Sequence, residues 1–88
     1  MVNEKDARRA LALASLGLNN LVKGSSRYKT ILGAMEGILI VLEVIPIQGK
    51  LPYKEVEYEV NSLFGGSKTS TRKETYEEMI LRLVKENL

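Results

Sequence analysis

Residues 53–65, YKEVEYEVNSLFG, decide the fold, because they satisfy two periodicities at once. At 3.6 residues per turn, Pro52 stands at the first helical position, and Tyr53, Val56, Val60, Leu63 and Phe64 share one face. Gly65 and Gly66 then stop the helix. At a period of two, Val56, Tyr58 and Val60 alternate with Glu55, Glu57 and Glu59, as in a half-covered strand. The run ILIVLEVIPI over residues 38–47 is rich in β-branched residues and extends this second reading to a hairpin over Ile38–Val60. The placed proline, the helical spacing continued at Leu63 and Phe64, and the glycine pair favour the helix.

Downstream, residues 69–88 read TSTRKETYEEMILRLVKENL. Thr71 with Glu74 three positions on has the spacing of a capping box, which predicts a helix start. Tyr76, Met79, Ile80, Leu83 and Val84 recur at steps of three and four, so one side of this helix faces a core. Lys68, Thr69, Ser70, Arg72 and Lys73 would then crowd its N-terminal end. Cations and hydroxyls beside free N–H groups suit a polyanion, since dipole and donors act in the same direction. A DNA recognition helix has this make-up, and its N-terminal part enters the major groove. Arg72 or Lys73 could reach guanine edges, while Ser70 and Thr71 suit phosphates or the cap itself. Tyr53 and Lys54, opening the preceding helix, are candidate phosphate contacts. Tyr58 is either a rim core residue or a phosphate donor. Glu74, Glu77 and Glu78 would repel phosphates, so some of them must point sideways. The plainer reading of the same residues is a solvated cap before an ordinary amphipathic helix.

Upstream, Asn3 can cap a first helix running to about Val22, ended by Lys23-Gly24-Ser25-Ser26. Within it Ala7, Leu11, Ala14, Leu18 and Leu21 form a heptad-like seam, and Ala10, Leu13, Leu16 and Gly17 form a second apolar or small face. A helix apolar on two sides lies deep in a core or meets a partner chain. In a chain this short the seam Leu11, Ala14, Leu18 and Leu21 is assigned to a homodimer. Tyr28–Val44 reads as a second helix with Ile31, Leu32, Met35, Ile38, Leu39 and Leu42 inward. The Gly33 and Gly37 spacing indicates close packing. Pro46 ends this helix, and residues 47–50 form a turn.

With 88 residues the chain can build one small core, and association would be the simplest source of further stability. It has neither Cys nor His, so thiol nucleophiles, imidazole bases and Cys/His zinc sites are excluded. No enzyme, metal or cofactor is expected. Net charge is only +2, but Lys5, Arg8, Arg9, Lys23, Arg27 and Lys29 gather in the N-terminal third while Glu55, Glu57 and Glu59 cluster centrally. No secretory signal precedes the first helix, and the lack of cysteine fits a reducing compartment, so a cytoplasmic location is expected. The apolar run Gly37–Ile47 is interrupted by Glu43 and stopped by Pro46, too short to span a bilayer.

From Ile38 onward, ILIVLEVIPIQG, Tyr53-Lys54-Glu55-Val56, Leu63-Phe64-Gly65-Gly66, Thr75-Tyr76, Leu83 and Asn87-Leu88 resemble the winged-helix proteins of the PadR family. That family shows a first helix ending near a Pro, a Gly-Tyr-Glu-aliphatic start to the second, and a Phe-Gly-Gly-like stop. Its recognition helix ends in Gly-Leu. Asn87 stands where that Gly is usual, and the sequence ends at Leu88, where the wing would begin, so no wing is expected. The resemblance implies a mainly α, winged-helix-like helix-turn-helix domain over residues 27–88, with residues 1–26 as an added dimerisation helix. It implies a homodimer on double-stranded DNA in transcriptional control. Similar domains serve as site-binding adaptors in archaeal plasmid partition. The rival expectation is a small helical or α+β module that binds another protein and no DNA.

Overall fold

The computed structural model describes residues 3–61 and 65–88. The order is α1 (Glu4–Leu18), α2 (Ser26–Val41), β1 (Glu55–Asn61), β2 (Ser67–Lys73) and α3 (Tyr76–Glu86). The mainly helical expectation holds, with a two-stranded antiparallel ribbon inserted between α2 and α3.

Local chemistry explains each boundary. The Asn3 side chain accepts the Asp6 N–H, and Ser25 accepts the Tyr28 N–H, so α1 and α2 both start on a capping residue. α1 ends at Leu18, earlier than Val22, and the turn passes through Gly24 at φ +83°. α2 stops before Pro46. The Glu43 N–H donates to Ile40 O at 3.0 Å and the Val44 N–H to Leu39 O at 2.9 Å, with Glu43 at φ +62°. This is a Schellman closure in which a glutamate occupies the left-handed position usually given to glycine.

Residues 53–65 correct the helical reading, for Glu55–Asn61 is a strand. In a helix Glu55 and Glu59 would stack as a like-charged i,i+4 pair. In the ribbon Glu55 faces Lys73, Glu57 faces Thr71 and Glu59 faces Thr69, while Val56, Tyr58 and Val60 gain the extended backbone that branched and aromatic residues favour. Leu63 and Phe64, expected to continue a helical face, lie outside the described residues. The structure therefore places a ribbon ahead of α3, where the second helix of a helix-turn-helix was expected.

The core joins the three helices. Leu11 and Leu18 of α1, Tyr28, Leu32, Met35 and Leu39 of α2, Ile45, and Met79, Ile80, Leu83 and Val84 of α3 form one buried cluster. The α3 face is the one its periodicity predicts, with Tyr76 packed at its margin. The seam assigned to a dimer is corrected here: Leu11 and Leu18 are buried in the chain's own core, and Ala14 and Leu21 pack against it. α2 and α3 together supply the cover that a second chain was expected to provide. The other face of α1 remains open, with Leu13 and Leu16 each 63% exposed. The Tyr28 hydroxyl donates to Glu77 and ties α2 to α3, and the Tyr76 phenol lies near the Glu36 carboxylate of α2. Burial beside the Glu36 carboxylate pushes the Tyr76 phenol up to about 12.

The ribbon pairs with itself and packs little against the helices. The radius of gyration is 16.0 Å and the longest extent 58 Å, against a radius of about 12 Å for a compact chain of this length. The ribbon projects.

Glu43→Gly is expected to raise stability by about 0.5–1 kcal/mol, because it relieves a left-handed Cβ while loosening the unfolded chain. A urea melt of the two proteins checks this, and an unchanged or lower midpoint would show that the Glu43 backbone carries no strain.

Candidate nucleic-acid interface

Five of the seven residues singled out for DNA, Lys68, Thr69, Ser70, Arg72 and Lys73, stand in β2, and Tyr53 and Lys54 lead into β1. They are brought into one projecting element, but it is a ribbon, and the placement at a helix N-terminus is corrected. The cause is a displaced cap. The stretch TSTRKETYEE holds two Thr-x-x-Glu spacings, Thr71–Glu74 and Thr75–Glu78. The second forms the box: Thr75 Oγ1 accepts the Glu78 N–H at 3.2 Å, and Glu78 Oε1 accepts the Thr75 N–H at 2.9 Å. Thr71 is left free for the strand.

Strand alternation divides the candidates. Partners directly opposite share a face, so Val56–Arg72, Tyr58–Ser70 and Val60–Lys68 lie on one side. Glu55–Lys73, Glu57–Thr71, Glu59–Thr69 and Asn61–Ser67 lie on the other. One face is thus basic and apolar, with Tyr58 and Val60 each 42% exposed, and the opposite face carries the three glutamates. Sequence order alone merged these two faces into one basic patch.

The cations differ in freedom. Arg72 forms a fork to Glu78, Nη1 to Oε1 at 2.6 Å and Nη2 to Oε2 at 2.9 Å. Its planar donors are therefore engaged with α3 rather than presented whole to a guanine edge. The same pairing, with the cap N–H, holds the Glu78 carboxyl down at about 2. Lys73 places its ammonium 4.2 Å from the centre of the Tyr53 ring, a cation–π contact. Lys68, near the far end of the ribbon, makes no salt bridge among the described residues. Lys54 is exposed, and its backbone is used structurally.

That use belongs to a junction that sequence reasoning missed. Glu74, only 6% exposed, accepts the Lys54 N–H at 2.8 Å, and its own N–H donates to Lys54 O at 2.9 Å. Arg82 of α3 reaches it twice, Nε to Oε2 at 2.9 Å and Nη2 to Oε1 at 3.0 Å, and Nη2 also donates to Pro52 O at 2.7 Å. The Arg82 hydrogen bonds hold the Glu74 carboxyl below the usual carboxylate range against the opposing effect of burial. Eight positions separate Glu74 from Arg82, and Glu74 precedes the helix, so no helical-neighbour rule links them. The ribbon is mounted on α3 through this pair.

Among the described residues no group of three or more His, Cys, Asp or Glu could hold a metal ion. None of their helices is long and apolar enough to cross a membrane. The chain matches no protein-family model, no curated protein and no solved structure.

Glu74→Ala would strip the partner from a half-buried guanidinium and orphan the Lys54 N–H. A loss on the order of 2–4 kcal/mol is expected, below the cost of breaking a fully buried pair because Arg82 keeps some water. Acid acts the same way. Glu74 and Glu78 are held below their unfolded values, near 4.5, so their stabilisation is complete above that pH. It fades as pH falls, for Glu78 toward about 2. Urea midpoints at pH 6 and pH 3 should differ by less in the Glu74→Ala protein than in the parent. An equal difference would show that Glu74 does not titrate as described.

Proposed function

We propose that the protein binds double-stranded DNA as a homodimer, in transcriptional control or plasmid partition, with the β1–β2 ribbon as the groove-facing element. One observation carries this reading: β2 lines up Lys68, Ser70 and Arg72 on an uncovered face that also bears Tyr58. Two-stranded ribbons fit DNA grooves and are an established mode of readout. Lys68 supplies a free charge for a phosphate, Ser70 a hydroxyl donor, and Tyr58 an apolar ring with a polar tip. The glutamates of the opposite face would then point away from the duplex. Arg72 acts first as a strut to Glu78, and it contributes to DNA through residual charge rather than a free fork. Lys54, exposed at the ribbon base, would serve a flanking phosphate, whereas Lys73 stands on the glutamate side over the Tyr53 ring.

The resemblance to the PadR family also supports DNA binding, though the ribbon takes over the role first given to a recognition helix. The second copy would use the open side of α1, where Leu13 and Leu16 stand clear, rather than the buried seam. That same face favours the rival reading, a module that docks on another protein and ignores DNA.

Fluorescence-polarisation titrations against duplex fragments at several salt concentrations separate the two. Each phosphate neutralised adds about 0.9 to the log–log salt slope, so Lys68→Ala should lower that slope by about one. Glu57→Gln, on the far face, should leave affinity nearly unchanged. Absence of salt-dependent association by the parent protein would remove DNA from the function and bring the docking module forward.

Light scattering addresses the dimer. Leu13→Asp with Leu16→Asp should give a folded monomer, since neither side chain belongs to the core. A parent chain already monomeric at micromolar concentration would overturn the homodimer.

A further inference from the structure

A cavity away from the ribbon lies between the α1–α2 turn, the first turns of α2 and the start of α3, with a volume of about 630 Å³, within the range of about 300–1,000 Å³ of small-molecule sites. Tyr28, Leu32 and Tyr76 give it a mainly apolar wall, and Lys23 and Lys29 stand on its rim. Both lysines are exposed and neither makes a salt bridge among the described residues. One carboxylate, Glu77, also borders the cavity, but it accepts the Tyr28 hydroxyl. Thr75 Oγ1 is occupied by the α3 cap.

From this arrangement we propose that the cleft binds a small amphipathic organic anion, with its apolar body against Tyr28, Leu32 and Tyr76 and its acidic head between Lys23 and Lys29. The volume exceeds what an inorganic anion needs, and the wall offers such an ion few donors. A neutral apolar molecule would fill the wall and leave the two lysine ammonium groups unanswered. An acid with an apolar body uses both features, as sites with one charged group at the edge of an apolar pocket do. The inference does not rest on DNA binding. It has a structural consequence for it, since Thr75 and Tyr76 directly follow Glu74, and an occupant would abut the mounting of the ribbon.

The test uses two dyes that share an anilinonaphthalene body. 8-Anilinonaphthalene-1-sulfonate carries the acid, and N-phenyl-1-naphthylamine lacks it. The intact protein should bind the sulfonate more tightly than the neutral dye. Lys23→Gln with Lys29→Gln, checked for fold by circular dichroism, should weaken the sulfonate about five- to tenfold, the scale of one or two surface ion pairs. The neutral dye should bind that variant as it binds the parent. Backbone amide shifts on adding the sulfonate should move in residues 23–32 and 75–77 and stay still in residues 5–16, which carry the exposed leucines. Equal affinity for the two dyes, a lysine variant that binds the sulfonate like the parent, or shifts centred on Leu13 and Leu16 would each overturn the proposal.

Discussion

Everything outside the helical core depends on the fork between Arg82 and Glu74. A two-stranded ribbon is marginal by itself in water, and β1–β2 receives little packing from the helices. Its position is set where it begins and ends. Arg82 holds Pro52 O on the approach to β1 and Glu74 at the exit of β2, while Glu74 and Lys54 exchange backbone and side-chain hydrogen bonds across the gap. A planar guanidinium can satisfy two carboxylate oxygens and a carbonyl together, which a lysine ammonium could not do with the same geometry. Removing a carboxylate from water is costly, so this pair contributes direction more than net stability. The Arg72–Glu78 fork repeats the device one turn along α3 at a site more open to solvent.

The helices were legible because each carries a period that only one structure satisfies. Met79, Ile80, Leu83 and Val84 could face one way only, and the Asn3 cap lies where an amide side chain precedes the periodic run, whereas Ser25, read only as part of the stop to α1, caps α2. The α2 assignment survived its β-branched run because Leu32, Met35 and Leu39 kept the helical step into a shared core. Residues 53–73 were not legible in that way. Val56 and Val60 fit a helix face and a strand face equally, and the deciding interaction is pairing with residues 67–73, visible only when the second strand is considered together with the first. Two overlapping capping spacings, Thr71–Glu74 and Thr75–Glu78, moved the helix start by four residues. That shift carried the basic cluster from a helix tip into a strand. The dimer seam failed for another reason. An apolar face declares that it will be covered, but not by what, and α2 with α3 cover Leu11 and Leu18.

Placing the cluster in a strand changes what it can do. At a helix N-terminus five neighbouring residues share one electrostatic focus, with the dipole behind them. In a ribbon the same residues alternate, so Lys68 and Arg72 face one side while Lys73 joins Glu55, Glu57 and Glu59 on the other. A near-neutral element thereby becomes two-sided, and toward a polyanion its orientation would be set by repulsion on one face as much as by attraction on the other. This makes the mounting a determinant of any DNA contact, because rotating the ribbon would present glutamates.

The cleft and the mounting meet at the start of α3. The Tyr28 hydroxyl of α2 donates to Glu77 of α3, and the Glu36 carboxylate of α2 raises the nearby Tyr76 phenol of α3. Tyr28, Tyr76 and Glu77 line the cleft, and Lys23 and Lys29 beside them make no salt bridge among the described residues. Glu74, Glu77 and Glu78, by contrast, each have a hydrogen-bond partner. A group that fills the cleft would touch Thr75, Tyr76 and Glu77, one peptide bond from the residue on which the ribbon is mounted.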